Sequence, residues 1–229
     1  MRGERLRSQA IGLGLIATCC GCGSDLKSYY PLDAGRTWSY ALTIRQGGEA
    51  GKQIKAASTI TNLPGRTLSG RAVTPQESRQ FGQVQLRFIA EESDGIAEIA
   101  AQSAGDTAPQ MKQPLNYVLK KPLREGTGWS STWQSNQFGV ATMIPVSKRV
   151  AERGRARASA AGRFDDCLRL QIAGAGTVAA PNGPTAIKVE GEEWYCADIG
   201  FVQGAFREDL PEFPVNTTVI GLELTGHQR

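Results

Sequence analysis

YYPLDAGRTWSYALTI, residues 29–44, is the stretch that decides the fold. Its second half alternates: Trp38, Tyr40, Leu42 and Ile44 fall on one side of an extended chain, because successive side chains of a strand point to opposite faces. Its first half is a device for opening that strand. Pro31 fixes φ, Leu32 turns inward, Gly35 makes the turn, and Trp38 anchors the run by burying a large surface. The same spacing, Pro-Leu-x-x-Gly-x-x-Trp, returns in KPLREGTGW, residues 121–129, where Pro122, Leu123, Gly126 and Trp129 fill the four places. Two readings compete: a duplicated local structure opening two similar β layers, or coincidence in a chain where Pro, Leu and Gly are common. The first is favoured because each copy opens a strand-rich segment.

Outward from these phrases the alternation continues. Val84, Leu86 and Phe88 alternate, as do Phe138, Val140, Thr142 and Ile144, then Leu168, Leu170 and Ile172, then Ile220, Leu222 and Leu224. Turn-forming clusters separate the runs: QGGEAG, NLPG, ESDG, ERGR and APNGP. A 3.6-residue apolar period is hard to find. The expectation is a mainly β fold: a curved antiparallel meander or half-barrel with one wet face, in one layer or two similar ones, and at most one short helix. IAEIAAQSAGDTAPQM, residues 96–111, has little β signal and reads as a loop or that helix.

The N-terminus reads as an export signal. Arg2, Arg5 and Arg7 precede an apolar run from Ala10 to Thr18, which is far shorter than the roughly 20 residues a membrane-spanning helix needs. Cys19, Cys20 and Cys22 then stand where a lipoprotein signal is cut. Cys22, preceded by the small Gly21, is the preferred lipidation site, with Cys19 and Cys20 as fallbacks and an ordinary cleaved secretory signal as the alternative. The expected layout is a signal at 1–21, a tether at 22–28 and one β-rich domain at 29–229, with halves 29–115 and 116–229 if the repeat is a duplication. Loss of residues 1–21 removes three arginines and one glutamate, so the formal net charge falls from +4 to +2. Near-neutrality without a reading module argues against a nucleic-acid partner.

The Tyr30-Pro31-Leu32-x-x-Gly35-x-x-Trp38-x-Tyr40 opening, Pro122-Leu123-x-x-Gly126-x-x-Trp129, AAGRFDDCLRL and Trp194-Tyr195-x-x-x-x-Gly200-x-Val202 resemble a family of bacterial envelope lipoproteins without established activity. The resemblance spans most of the mature chain and departs at Cys196 and Asp198. It implies an exported, lipid-tethered β domain. Gly23, following Cys22 where an aspartate would favour inner-membrane retention, is compatible with outer-membrane sorting, so the expected place is the cell envelope, facing the periplasm, at the outer membrane where there are two membranes.

Catalysis finds little support. His227, third from the C-terminus, is the only histidine, which disfavours serine–histidine triads and histidine metal sites, and no metal or cofactor is expected. Asp165 with Asp166, or Glu190, Glu192 and Glu193, are the carboxylates from which a hydrolase of envelope polymers would be built. The alternative, and favoured, reading is a non-enzymatic protein that binds a hydrophobic ligand, a lipid or an envelope protein. Arg153, Arg155 and Arg157 form a basic stretch, read as a hairpin turning near Gly154. It either keeps an edge strand soluble or touches anionic head groups.

Cys167 and Cys196 are the cysteines left after the signal, and in an exported chain a disulfide between them is favoured over two buried thiols. With Asn182 and Gly183 as the hairpin tip they come nearly level, the offset being absorbed by a bulge.

Overall fold

The computed structural model describes residues 26–48 and 51–229. Residues 1–25, and with them the signal and the lipidation candidates Cys19, Cys20 and Cys22, lie outside the described residues. From Thr37 onward the alternating runs become strands: β1 (Thr37–Gln46), β2 (Lys52–Asn62), β3 (Arg66–Leu68), β4 (Arg71–Gln80), β5 (Gln83–Glu92), β6 (Gly95–Ser103) and β7 (Gln110–Lys120). They continue as β8 (Gly128–Ser135), β9 (Thr142–Ser159), β10 (Gly162–Ala180), β11 (Gly183–Cys196), β12 (Gly200–Asp209) and β13 (Thr218–Gln228).

All pairing is antiparallel and mostly between chain neighbours; β2 skips β3 to pair with β4, and β1 pairs with β13, so one sheet runs β7-β6-β5-β4-β2-β1-β13-β12-β11-β10-β9-β8, with β3 attached to β4. Twist curls this path until its two ends nearly meet, giving a nearly closed barrel. No backbone ladder joins β7 to β8; side chains lace the seam instead. The Trp129 indole N–H donates to Tyr117 O at 3.0 Å, and Asn116 Oδ1 accepts from Ser131 Oγ at 2.6 Å and from the Thr132 backbone N–H at 3.1 Å.

The two copies of the repeated phrase share one local structure. Gly35 and Gly126 sit at φ 84° and 86°, in the left-handed region that glycine enters without penalty. The Gly35 N–H bonds Asn62 O at 2.8 Å and the Gly126 N–H bonds Val150 O at 2.9 Å, each on the strand beside the one that the phrase opens. Trp38 and Trp129 are both buried, and their indoles donate to Ile199 O and Tyr117 O. The copies open β1 and β8 of a single sheet.

The structure corrects several expectations. Residues 96–103 form β6, and its first six residues, Gly95–Ala100, are all buried. A strand covered on both faces shows no alternation, which is why it resembled a loop or helix. Phe138 and Val140 lie in a 3-10 turn and its exit, with Phe138 at φ 55°, so β9 starts only at Thr142. β9 runs straight through Gly154, where φ is 68° and the pairing with β10 is bulged, and the chain reverses at Ala160–Ala161. Of the segment 22–28 expected as a tether, Leu26 is buried in the core, at the start of the short helical turn α1 (Leu26–Tyr29) that leads into the domain through the buried Tyr29.

Cys167 and Cys196 are joined by a disulfide, with Cα atoms 4.0 Å apart. They face each other directly in the β10–β11 ladder. The tip is Pro181–Asn182, one residue earlier than expected, so the two cysteines are level without a bulge.

Candidate functional site

The meander puts the β5–β6, β7–β8 and β11–β12 turns at one end of the barrel and the β1–β2, β4–β5, β6–β7 and β8–β9 turns at the other. The first end is plugged by the N-terminal segment. Leu26, Tyr29 and Tyr30 pack with Ile96, Leu168 and Tyr195. Tyr29 OH donates to Asp166 Oδ1 at 2.7 Å, and Tyr30 OH donates to the buried Gln76 Oε1 at 2.7 Å. Gln76 in turn donates to Asn62, whose side chain holds the carbonyls of Pro31 and Asp33. Burial pushes the Tyr30, Tyr40 and Tyr195 hydroxyls above the usual tyrosine range. The plug is thus an apolar body in which burial favours the protonated phenols of Tyr30 and of Tyr195 packed against it. The apolar void left beside Tyr30, Trp38 and Phe201 is about 30 Å³, space for a water or two.

The other end is open and polar. A cavity of about 650 Å³ at the mouth is walled by Ser78, Gln80, Gln85, Ser103, Gln134 and Asn136. Gln85 and Gln134 also wall a deeper cavity of about 270 Å³, and a third of about 340 Å³ beside the β7–β8 seam. The deeper cavity carries five charged side chains. Arg87 Nε donates to Glu98 Oε2 at 2.8 Å, and the Lys112 ammonium stands 3.7 Å from Glu98 Oε1. Lys148 Nζ donates to Glu193 Oε2 at 2.8 Å, and Tyr195 OH donates to the same oxygen at 3.1 Å. Burial opposes the Arg87 charge, but the adjoining Glu98 more than compensates and holds its pKa above the ordinary arginine value. Behind Trp133, the buried Glu208 accepts from the Trp133 indole at 2.6 Å, from Ser135 and from Gln137, so its oxygens are held by neutral donors.

Sequence reasoning missed this site because the alternation in β5 does not say which of its faces lines the interior. Leu86 and Phe88 pack with Val73, Ala97 and Leu68, under the hairpin that carries β3, while Gln85 and Arg87 face the lumen. The available signal was a charged residue within an otherwise apolar set: Lys148 between the buried Val146 and Val150.

The residues singled out from sequence fall elsewhere. Asp165 is exposed and lies 3.4 Å from Arg163, whereas Asp166 is taken by Tyr29. Glu190 is exposed, Glu192 accepts from Arg169 and Trp194, and Glu193 accepts from Lys148. These carboxylates do not converge on one cleft. The arginines are equally dispersed, since the bulge at Gly154 breaks their alternation. Arg153 donates to Leu123 O at 2.8 Å, Arg155 is exposed beside Glu152, and Arg157 donates to Gln203 at 2.6 Å while lying 4.6 Å above the Trp194 ring. The tip of the β9–β10 hairpin folds against β13, with the Ala161 N–H on Leu224 O and the Ala160 N–H on Glu223. Trp194 and the disulfide pack in the cluster this hairpin covers. Gly200, at φ 95°, brings its backbone against Pro31 and Trp38, where a Cβ would stand 3.2 Å from the proline ring.

No family model and no curated protein matches the chain. Two solved structures are similar to it, each at 12% identity and covering 87% of this chain and 98% of the other. One is described as an exported protein with a YmcC-like fold from Bacteroides fragilis (TM-score 0.39), the other as a lipoprotein from Parabacteroides distasonis (TM-score 0.36). Likenesses of that size carry no functional argument.

Proposed function

We propose that this chain is a non-enzymatic, lipid-anchored protein of the cell envelope whose barrel lumen binds a polar ligand. The export-type N-terminus supports the location. The binding role rests on one observation: a lumen plugged at the N-terminal end, open at the other, and lined between them by amides, hydroxyls and paired charges. Sites that hold small molecules are concave and carry a few fixed polar groups. A hydrophobic ligand, one of the expectations from sequence beside a lipid or an envelope protein, suits this interior less, because the apolar pocket is filled by the chain's own aromatic rings while the mouth and the deeper cavity are lined mainly by polar surface. From Cys22 to Leu26 the chain reaches at most about 14 Å. A lipid on Cys22 would therefore hold the plugged end near the membrane and aim the mouth away from it.

Thiol labelling tests the reading. A small water-soluble thiol reagent should modify Gln85→Cys in the lumen and Phe81→Cys on the rim. The polar, low-molecular-weight fraction of the source cells should slow labelling at 85 and leave 81 unchanged. A position 85 that resists the reagent, or that the fraction never protects, contradicts the proposal.

A further inference from the structure

Among the charged groups of the deeper cavity, donors outnumber acceptors. Arg87 occupies Glu98 and Lys148 occupies Glu193, each at 2.8 Å. Lys112 is left 3.7 Å from the second oxygen of Glu98, beyond the 2.7–3.2 Å of an N–H···O bond. Its side chain is 24% exposed and lines both the deeper cavity and the one beside the seam. The remaining nearby carboxylates do not answer it. Asp106, at the outer rim, accepts from the Ser103 backbone N–H at 2.8 Å and from Gln110, and Glu208 is closed off by its three donors behind Trp133. The cavity wall therefore carries three cations against two anions. Glu98 is thus shared by Arg87 and Lys112, and the surplus of one positive charge in a recess of reduced dielectric favours an incoming anion.

We propose that Lys112, backed by Arg87 and Lys148, receives an oxyanion group of the ligand, a carboxylate or a phosphate, while the amides of Gln85 and Gln134 meet its neutral part. This rests on the lumen being the binding site. Lysine suits the role as a compact charge with three donors on a flexible stem. Its place on β7, at the unladdered seam, puts it where a ligand entering from the mouth passes.

Met143 lines the same cavity, so the full chain, carrying 13C-methyl methionine in detergent, reports occupancy directly. Inorganic phosphate, acetate and the neutral polyol erythritol are titrated against sodium chloride at matched ionic strength. The expected result is a saturable shift of the Met143 methyl with phosphate, acetate or both, the responding anion naming the group. Lys112→Gln should weaken it about tenfold, the scale of one charge-assisted hydrogen bond, and Lys112→Arg should restore it. Lys112 is partly exposed on an edge strand, so both variants should fold, which their unperturbed spectra away from the lumen would verify. A shift with erythritol alone overturns the oxyanion assignment while leaving a ligand-binding lumen. An undiminished anion shift in Lys112→Gln also overturns the assignment. No shift with any of the three overturns both.

Discussion

Reducing the Cys167–Cys196 disulfide should destabilise the barrel by an amount the structure fixes. The two residues are 29 apart in sequence, and closing a loop of that length removes unfolded-state entropy equivalent to about 3.6 kcal/mol at 25 °C. Both cysteines are fully buried beneath the β9–β10 hairpin, so reduction leaves two small apolar thiols in place and opens no large void. For a domain near 200 residues such a loss lowers the melting temperature by about 7–14 °C. The assay is thermal and urea unfolding of the exported protein, oxidised and after refolding in reductant, with free thiols counted in the denatured, unreduced sample. Two reactive thiols at these positions in that sample would refute the pairing. Equal midpoints for the oxidised and reduced proteins would refute the entropic account.

Intact-mass analysis of the mature N-terminus should find a diacylated cysteine at Cys22, since two chains anchor where one is marginal; an unmodified N-terminus contradicts the anchor. Arg157→Gln should cost about 1–2 kcal/mol through its bond to Gln203 and its contact with Trp194, while Arg155→Gln, exposed, should stay within about 0.5 kcal/mol. Equal effects would mean that the bulge at Gly154 does not separate the two. Tyr30, Tyr40 and Tyr195 have folded-state pKa values above the unfolded value of about 10, so their contribution is complete below pH 10 and is lost as pH climbs beyond it. Urea midpoints across pH 9–11.5 should fall accordingly, and less steeply in Tyr40→Phe; parallel curves would show that the phenols are not sealed.

The fold was legible where one face was apolar. Trp38, Tyr40 and Leu42 named β1, Leu168, Leu170 and Ile172 named part of β10, and the repeated phrase marked both strand openings. It was illegible where burial was two-sided, as in β6, or where one residue's backbone set the outcome. Gly154 looked like a chain reversal and is a bulge, and Phe138 continued an alternation that its positive φ breaks. The lumen was hidden for a different reason. In a barrel the polar face of a strand can point inward, and nothing in QVQLRFIAE says that Gln85 and Arg87 face an interior while Leu86 and Phe88 are covered from outside by the β3 hairpin. Only closure of the sheet, through the β1–β13 ladder, brings Arg87 and Glu98 together with Lys148 and Glu193.

Native mass spectrometry of the full chain, extracted from its source membranes in mild detergent, tests the ligand-binding lumen most directly. The prediction is a population carrying the added mass of one polar small molecule, lost on denaturation. It should be absent from Gln85→Trp, whose indole would occupy the space between the mouth and the deeper cavity. The lipidated mass alone in wild type, or the same adduct in wild type and Gln85→Trp, would contradict it.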